Sequence, residues 1–256
     1  MIHTEFQAGL ATLRLARPPV NAFNPALVTA FQTALDAVER APDVQLLIID
    51  SDERAFCAGA DLSLIQDFFA EPDGARRMVD YVTTLHTLFD RIESLPIVTL
   101  AVMRGTALGG GLELALACDL RLAASDAQLG LPEARVGMIP GAGGTQRLTR
   151  LCGPGVAARL ILAAEVVAGD EAQRLGLVQW SAPAAAIDAS VRDIARSVCG
   201  LSAPALVAAK DCIQAATDPD VDGYARELEK PAGLMATSEA RQRIAAFFAR
   251  PGGGPH

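Results

Sequence analysis

Histidine and cysteine are scarce in this 256-residue chain, and neither is spaced for metal chemistry. The three histidines, His3, His86 and His256, lie far apart, so a histidine-built metal site is not expected. The five cysteines, Cys57, Cys118, Cys152, Cys199 and Cys212, are odd in number and widely separated. That pattern fits neither a disulfide framework nor a zinc ribbon, and free thiols in a reducing compartment are expected. Long apolar runs are also missing: charged residues interrupt every stretch well before about 18 residues, so no membrane span is expected. The opening residues, Met1 to Glu5, lack a basic region followed by an apolar run; no signal peptide is expected, and a cytoplasmic setting is. A basic surface is lacking too. Lys and Arg number 22 against 30 Asp and Glu, giving a net charge of −8, which does not suit a duplex nucleic acid as partner.

What the chain does have is apolar mass, with 51% hydrophobic residues and a mean hydropathy of +0.27, enough for a sizeable core. Residues 9–16 alternate as a strand does, and Arg17-Pro18-Pro19 ends it. Asn24-Pro25 reads as a helix cap followed by proline at the first helical position, opening a helix to about Arg40. Residues 44–49 and 97–102 read as buried strands and 119–124 as strand-like. A helix is expected over 74–94, with Met78, Val82, Leu85, Leu88, Phe89 and Ile92 on one face. Further helical patterns fall at about 144–151, 154–164 and 170–175. From about 184 to 249 only helical patterns follow, broken near Gly200, Pro204, Pro219 and Pro231; the tail 251–256 should be disordered. Strands alternating with helices and then helices alone make an α/β core, assigned to residues 1–197, and a helical region over 198–256.

Two glycine-rich stretches invite a phosphate-binding reading and fail it. Neither Gly109-Gly110-Gly111 nor Gly141-Ala142-Gly143-Gly144 has the dinucleotide spacing, and no lysine follows in the manner of a nucleotide-binding loop. No G-x-S-x-G nucleophile elbow is present. Instead, each glycine-rich stretch comes with a carboxylate. Gly109 to Gly111 open a short helix whose first turn holds Glu113; glycine lets a ligand approach the backbone, and free N–H groups at a helix start suit an oxyanion. Taken alone, Glu113 there would do no more than stabilise the helix dipole by about 0.3–1 kcal/mol. Leu131-Pro132-Glu133 precedes the irregular stretch 137–144. The loop from Cys57 to Asp61, ahead of another helix, offers further backbone amides, and Asp61 also suits a helix cap.

Taken together, these pieces resemble the crotonase superfamily, most closely enoyl-CoA hydratase. The likeness rests on Ala55-Phe-Cys-Ala-Gly-Ala-Asp-Leu62, on residues 107–119, and on Leu131-Pro-Glu133 through residues 139–148. Arg17-Pro18-Pro19-Val20-Asn21-Ala22 and residues 172–178 add to it, and it covers essentially the whole chain to about residue 250. The resemblance implies a spiral of β-β-α units with a C-terminal helical region serving trimer assembly, and a homotrimer or homohexamer. It implies an acyl-CoA thioester as substrate, with CoA entering as part of that substrate, no metal and no resident cofactor. The thioester oxygen would be held by the N–H groups of Ala60 and Gly110. Ala22, Ala58, Ala60, Asp61, Leu62, Gly109, Gly110, Pro132 and Gly141 would line the substrate site.

Both glutamates expected of a hydratase are present, as Glu113 and Glu133. In this reading, two carboxyl groups flank one water: Glu113 positions and deprotonates it for attack at Cβ, and Glu133 supplies the proton to Cα. Close carboxyls titrate as a pair, which leaves the division of labour between them open. Three alternatives are a double-bond isomerase of the same superfamily, a lyase or hydratase for branched or aromatic acyl-CoA, and a non-catalytic acyl-CoA-binding subunit. His86 has no identifiable acid or nucleophile partner, and Cys57 is expected to pack inward, so neither is read as a nucleophile.

Overall fold

A computed structural model describes residues 1–249; the tail expected to be disordered lies outside them. The chain divides into two compact units, Met1–Arg196 and a second beginning at Ser197. The first opens with a hairpin of β1 (Ile2–Gln7) and β2 (Leu10–Leu15), followed by α1 (Pro25–Glu39) and β3 (Leu46–Ser51). Helices α2 (Leu62–Ala70) and α3 (Gly74–Ser94) lead to β4 (Val98–Met103), β5 (Ala107–Leu108) and α4 (Gly110–Leu116). Strands β6 (Leu120–Ala124) and β7 (Gln128–Gly130) precede a 3₁₀ turn at Glu133–Val136 and α5 (Gly144–Ile161). Then come β8 (Val166–Ala168), α6 (Gly169–Arg174), β9 (Trp180–Ala182) and α7 (Ile187–Cys199). The second unit holds α8 (Ala203–Ala215), α9 (Gly223–Ala236) and α10 (Ser238–Phe248).

Six strands form one sheet in the order β1-β2-β3-β4-β6-β9, antiparallel only at β1–β2, and three form a second in the order β5-β7-β8. The chain alternates between them. β4 feeds the large sheet and β5 the small one before α4; β6 and β7 repeat that step before the 3₁₀ turn and α5. This is the β-β-α progression that the resemblance implies. It carries the start of α4 and the turn after β7 to one end of the small sheet, where β5 and β7 pair Leu108 with Gly130.

Burial explains which elements were legible. All six residues of β3 are buried, as a parallel strand covered on both faces requires. Its last two, Asp50 and Ser51, are polar and have partners: Arg104 pairs with Asp50 at 3.0 Å, and Asn21 donates to the Ser51 hydroxyl at 2.7 Å. Helix α1 starts as expected, with the Asn24 side chain accepting from Leu27 N–H at 2.9 Å and Pro25 in its first turn. On α3, Leu85, Leu88, Phe89 and Ile92 are buried as the periodicity predicts, while Met78 and Val82 form part of a cavity wall.

Several expectations need correction. β1 was not anticipated because five of its six residues are exposed, which hides the alternation. β7, β8 and β9 have three residues each, too few for a period-2 signal. The helical patterns at 144–151 and 154–164 do meet a break between them, because Gly153 within α5 is non-helical, with φ 79° and ψ 164°. Pro231 does not break its helix, because α9 runs through it. Arg226 and Lys230, on the turns before Pro231, both pair with Asp211 of α8.

A candidate active site at the ends of two glycine-rich loops

A cavity of about 260 Å³ opens in the first unit where the Cys57–Asp61 loop, α3, the start of α4 and the stretch 132–142 converge. Of the residues expected at the substrate site, Ala58, Ala60, Leu62, Gly109, Gly110, Pro132 and Gly141 line it, together with Glu113 and Glu133. Ala22 and Asp61 lie outside the lining and serve the loop behind it. Arg17 donates to the Ala22 carbonyl at 2.8 Å and to the Asp61 carboxylate at 2.6 Å, and Asp61 caps α2 by accepting from Ser63 N–H.

The Cys57–Asp61 loop and the start of α4 meet backbone to backbone. A Cβ on Gly59, where φ is +97°, would stand 2.9 Å from the Leu108 carbonyl oxygen and 3.3 Å from Gly110 N; only glycine permits this approach. A Cβ on Gly110 would lie 3.7 Å from Ala60 N, so the two amides are close neighbours. The surrounding hydrogen bonds pass through adjacent residues: Phe23 N–H to Gly59 O, Asp61 N–H to Phe23 O, and Gly109 N–H to Gly130 O. The Ala60 and Gly110 N–H groups enter none of these bonds. Tyr81, buried on α3, donates its hydroxyl to the same Phe23 carbonyl at 3.0 Å and presents its ring to the cavity.

Glu113, 3% exposed, is held by the second glycine-rich loop. Its Oε1 accepts from Ala142 N–H and Gly144 N–H, each at 2.8 Å. Gly144 must lack a side chain, because a Cβ there would stand 2.8 Å from that oxygen. Desolvation pushes the Glu113 carboxyl up to about 7; the Glu133 charge pushes the same way, and the two amide bonds and Arg147 oppose it. Glu133 sits in the 3₁₀ turn beside Gly109, where a Cβ would meet its Oε1 at 2.9 Å. Its Oε2 is buried without a hydrogen-bond partner among the described residues, and desolvation raises its pKa too. Two carboxyls with elevated proton affinity thus face one cavity next to two backbone donors, which suits proton transfer beside a developing oxyanion.

The remaining walls are apolar, with Ile65, Met78, Val82, Leu85, Met138 and Ile139 among them. Cys57 is fully buried and its thiol donates to Asn21 O; desolvation raises it to about 12, which leaves it no nucleophilic role. Among the described residues, no group of three or more His, Cys, Asp and Glu could hold a metal ion, and no helix is long and apolar enough to cross a membrane. Two residues of the site escaped the sequence reading. Tyr81 looks like one more member of an apolar helix stripe. Arg147, which donates to the Ala142 carbonyl at 3.1 Å, did leave a signal: a cation in the first turn of a helix opposes the dipole.

The family model described as enoyl-CoA hydratase/isomerase matches residues 5–247. A crotonyl-CoA hydratase of Syntrophomonas wolfei is 36% identical over 248 residues, 95% of this chain and 93% of that protein. A probable enoyl-CoA hydratase of Bacillus subtilis is 41% identical over 68% of this chain and 66% of its own length. Among solved structures, an enoyl-CoA hydratase from Polaromonas superposes with a TM-score of 0.90 at 28% identity, covering 96% of each chain. One from Bacillus anthracis gives 0.88 at 31% identity, covering 96% of this chain and 95% of that one. The chain belongs to the enoyl-CoA hydratase/isomerase family and has the crotonase fold.

Proposed function

We propose that this protein is an enoyl-CoA hydratase, adding water across the 2,3 double bond of a 2-enoyl-CoA to give the 3-hydroxyacyl-CoA. The observation that carries this reading is the pair Glu113 and Glu133 on one cavity beside the Ala60 and Gly110 amides. The thioester oxygen accepts from both N–H groups, which stabilise the enolate charge that develops on it; losing one such donor costs about 2.7–4 kcal/mol of transition-state stabilisation. Water sits between the carboxyls. Glu113 takes its proton as it attacks Cβ, and Glu133 delivers a proton to Cα. Desolvation raises the proton affinity of both carboxyls, that of Glu113 to about 7. The chemistry calls for no resident metal or cofactor. The apolar walls at Met78, Val82 and Ile139 suit a hydrocarbon acyl chain.

The assembly we propose is a trimer or hexamer. The helices of the second unit expose Tyr224, Leu228, Met235, Phe247 and Phe248, apolar surface that copies of the chain would cover. None of the five cysteines is in a disulfide, which suits a reducing cytoplasm. The test follows the fall of conjugated-thioester absorbance when the protein meets crotonyl-CoA, with Glu113→Gln and Glu133→Gln in parallel. Rapid loss with 3-hydroxyacyl-CoA formed, and both variants slowed by about 10²-fold or more, supports the reading. An intact absorbance under wild-type protein rejects it for short acyl chains.

A further inference from the structure

Arg147 is a buried cation on the far side of the turn that grips Glu113. It is 8% exposed, so it must be paired where it stands. Its Nε and Nη2 donate to Glu93 Oε2 at 2.9 and 2.7 Å, Nη2 also to Asp90 Oδ1 at 2.5 Å, and Nη1 to Ala142 O at 3.1 Å. Both acids belong to α3 and are well exposed themselves. The turn is shaped around the guanidinium: a Cβ on Gly143, where φ is +101°, would lie 2.2 Å from Nη1. On its other face, the same turn gives the Ala142 and Gly144 amides to Glu113.

We propose that Arg147, clamped by Asp90 and Glu93, is the positioning residue for the Glu113 carboxylate, fixing through the Ala142 carbonyl the turn whose amides hold it. This rests on the reading that Glu113 acts on the substrate water. Arg147 touches no substrate; it sets the orientation and the charge environment of the group that does. The charged and titratable groups acting on Glu113 are Glu133 from the 3₁₀ turn, Arg147 from α5 and Tyr81 from α3. His86 of α3 lies next to Gly143. The Arg147 charge favours the ionised form of Glu113, so its removal favours the protonated carboxyl.

The experiment titrates Glu113 by carbon-13 NMR in protein labelled at the glutamate carboxyl carbon, its resonance assigned by its loss in Glu113→Gln. In Arg147→Gln the titration should move up by at least about half a pH unit, while Arg147→Lys, which keeps the charge, stays within a few tenths. Lysine lacks the planar fork, so amide exchange at Ala142 and Gly144 in Arg147→Lys should quicken by about 10-fold or more. A Glu113 titration in Arg147→Gln matching wild type overturns the proposal. If that variant does not fold, unchanged exchange at the two amides in Arg147→Lys overturns it. Neither readout needs turnover, so an inactive wild type would refute the hydratase reading without touching this result.

Discussion

Replacing Glu113 with Gln should abolish turnover and stabilise the protein at the same time. Glu113 titrates at about 7 when folded, against an ordinary 4.5. The folded state therefore binds this proton more tightly than the unfolded state, and stability falls as pH rises through that window. Below pH 4.5 both states are protonated and the site costs nothing; above 7 the full cost is present. At about 1.4 kcal/mol per pH unit, the interval is worth about 3 kcal/mol. The Gln side chain removes the buried charge yet keeps an amide oxygen where Oε1 accepts from Ala142 and Gly144. Arg147 keeps its two acids, so no partner is orphaned. Urea unfolding followed by circular dichroism, at equal protomer concentration, should show Glu113→Gln more stable than wild type by about 3 kcal/mol at pH 8. The gap should shrink towards zero near pH 4.5. Equal or lower stability at pH 8, or a gap that does not vary with pH, would refute the argument that desolvation dominates this site.

Three further outcomes follow from the same geometry. Glu133→Gln removes the charge that raises the neighbouring carboxyl, so Glu113, followed by carboxyl NMR, should titrate lower than in wild type. Tyr81→Phe deletes the hydroxyl bond to Phe23 O, the carbonyl that also holds Asp61 N–H next to the Ala60 donor, and steady-state kinetics with crotonyl-CoA should show kcat down about 10-fold with KM little changed, since the loss loosens the loop that carries that donor. Gly111→Ala would place a Cβ 2.1 Å from the Cys57 carbonyl oxygen, and thermal unfolding should report about 3 kcal/mol or more of destabilisation.

Legibility along the chain tracked local chemistry. The Asn24-Pro25 helix start, the buried run of β3 and the apolar face of α3 declare themselves because cap, burial and period act within a few residues. β1, β7, β8 and β9 did not: one is exposed along most of its length and the others are too short to show a period, so their strand state comes from pairing with distant segments.

The site divides the same way. Glycines beside acids in two loops, at Gly109 to Glu113 and Glu133 to Gly144, were readable as a composition that brings backbone donors and carboxylates within reach of a ligand. That Ala60 and Gly110 stand side by side, that Glu113 is gripped by amides 29 and 31 residues onward, and that Arg147 and Tyr81 brace these loops were decided only in three dimensions. Each of those facts is a contact between segments far apart in the chain. The pKa of about 7 at Glu113 is likewise tertiary, because desolvation depends on what the whole fold packs around a carboxyl and not on its neighbours in sequence.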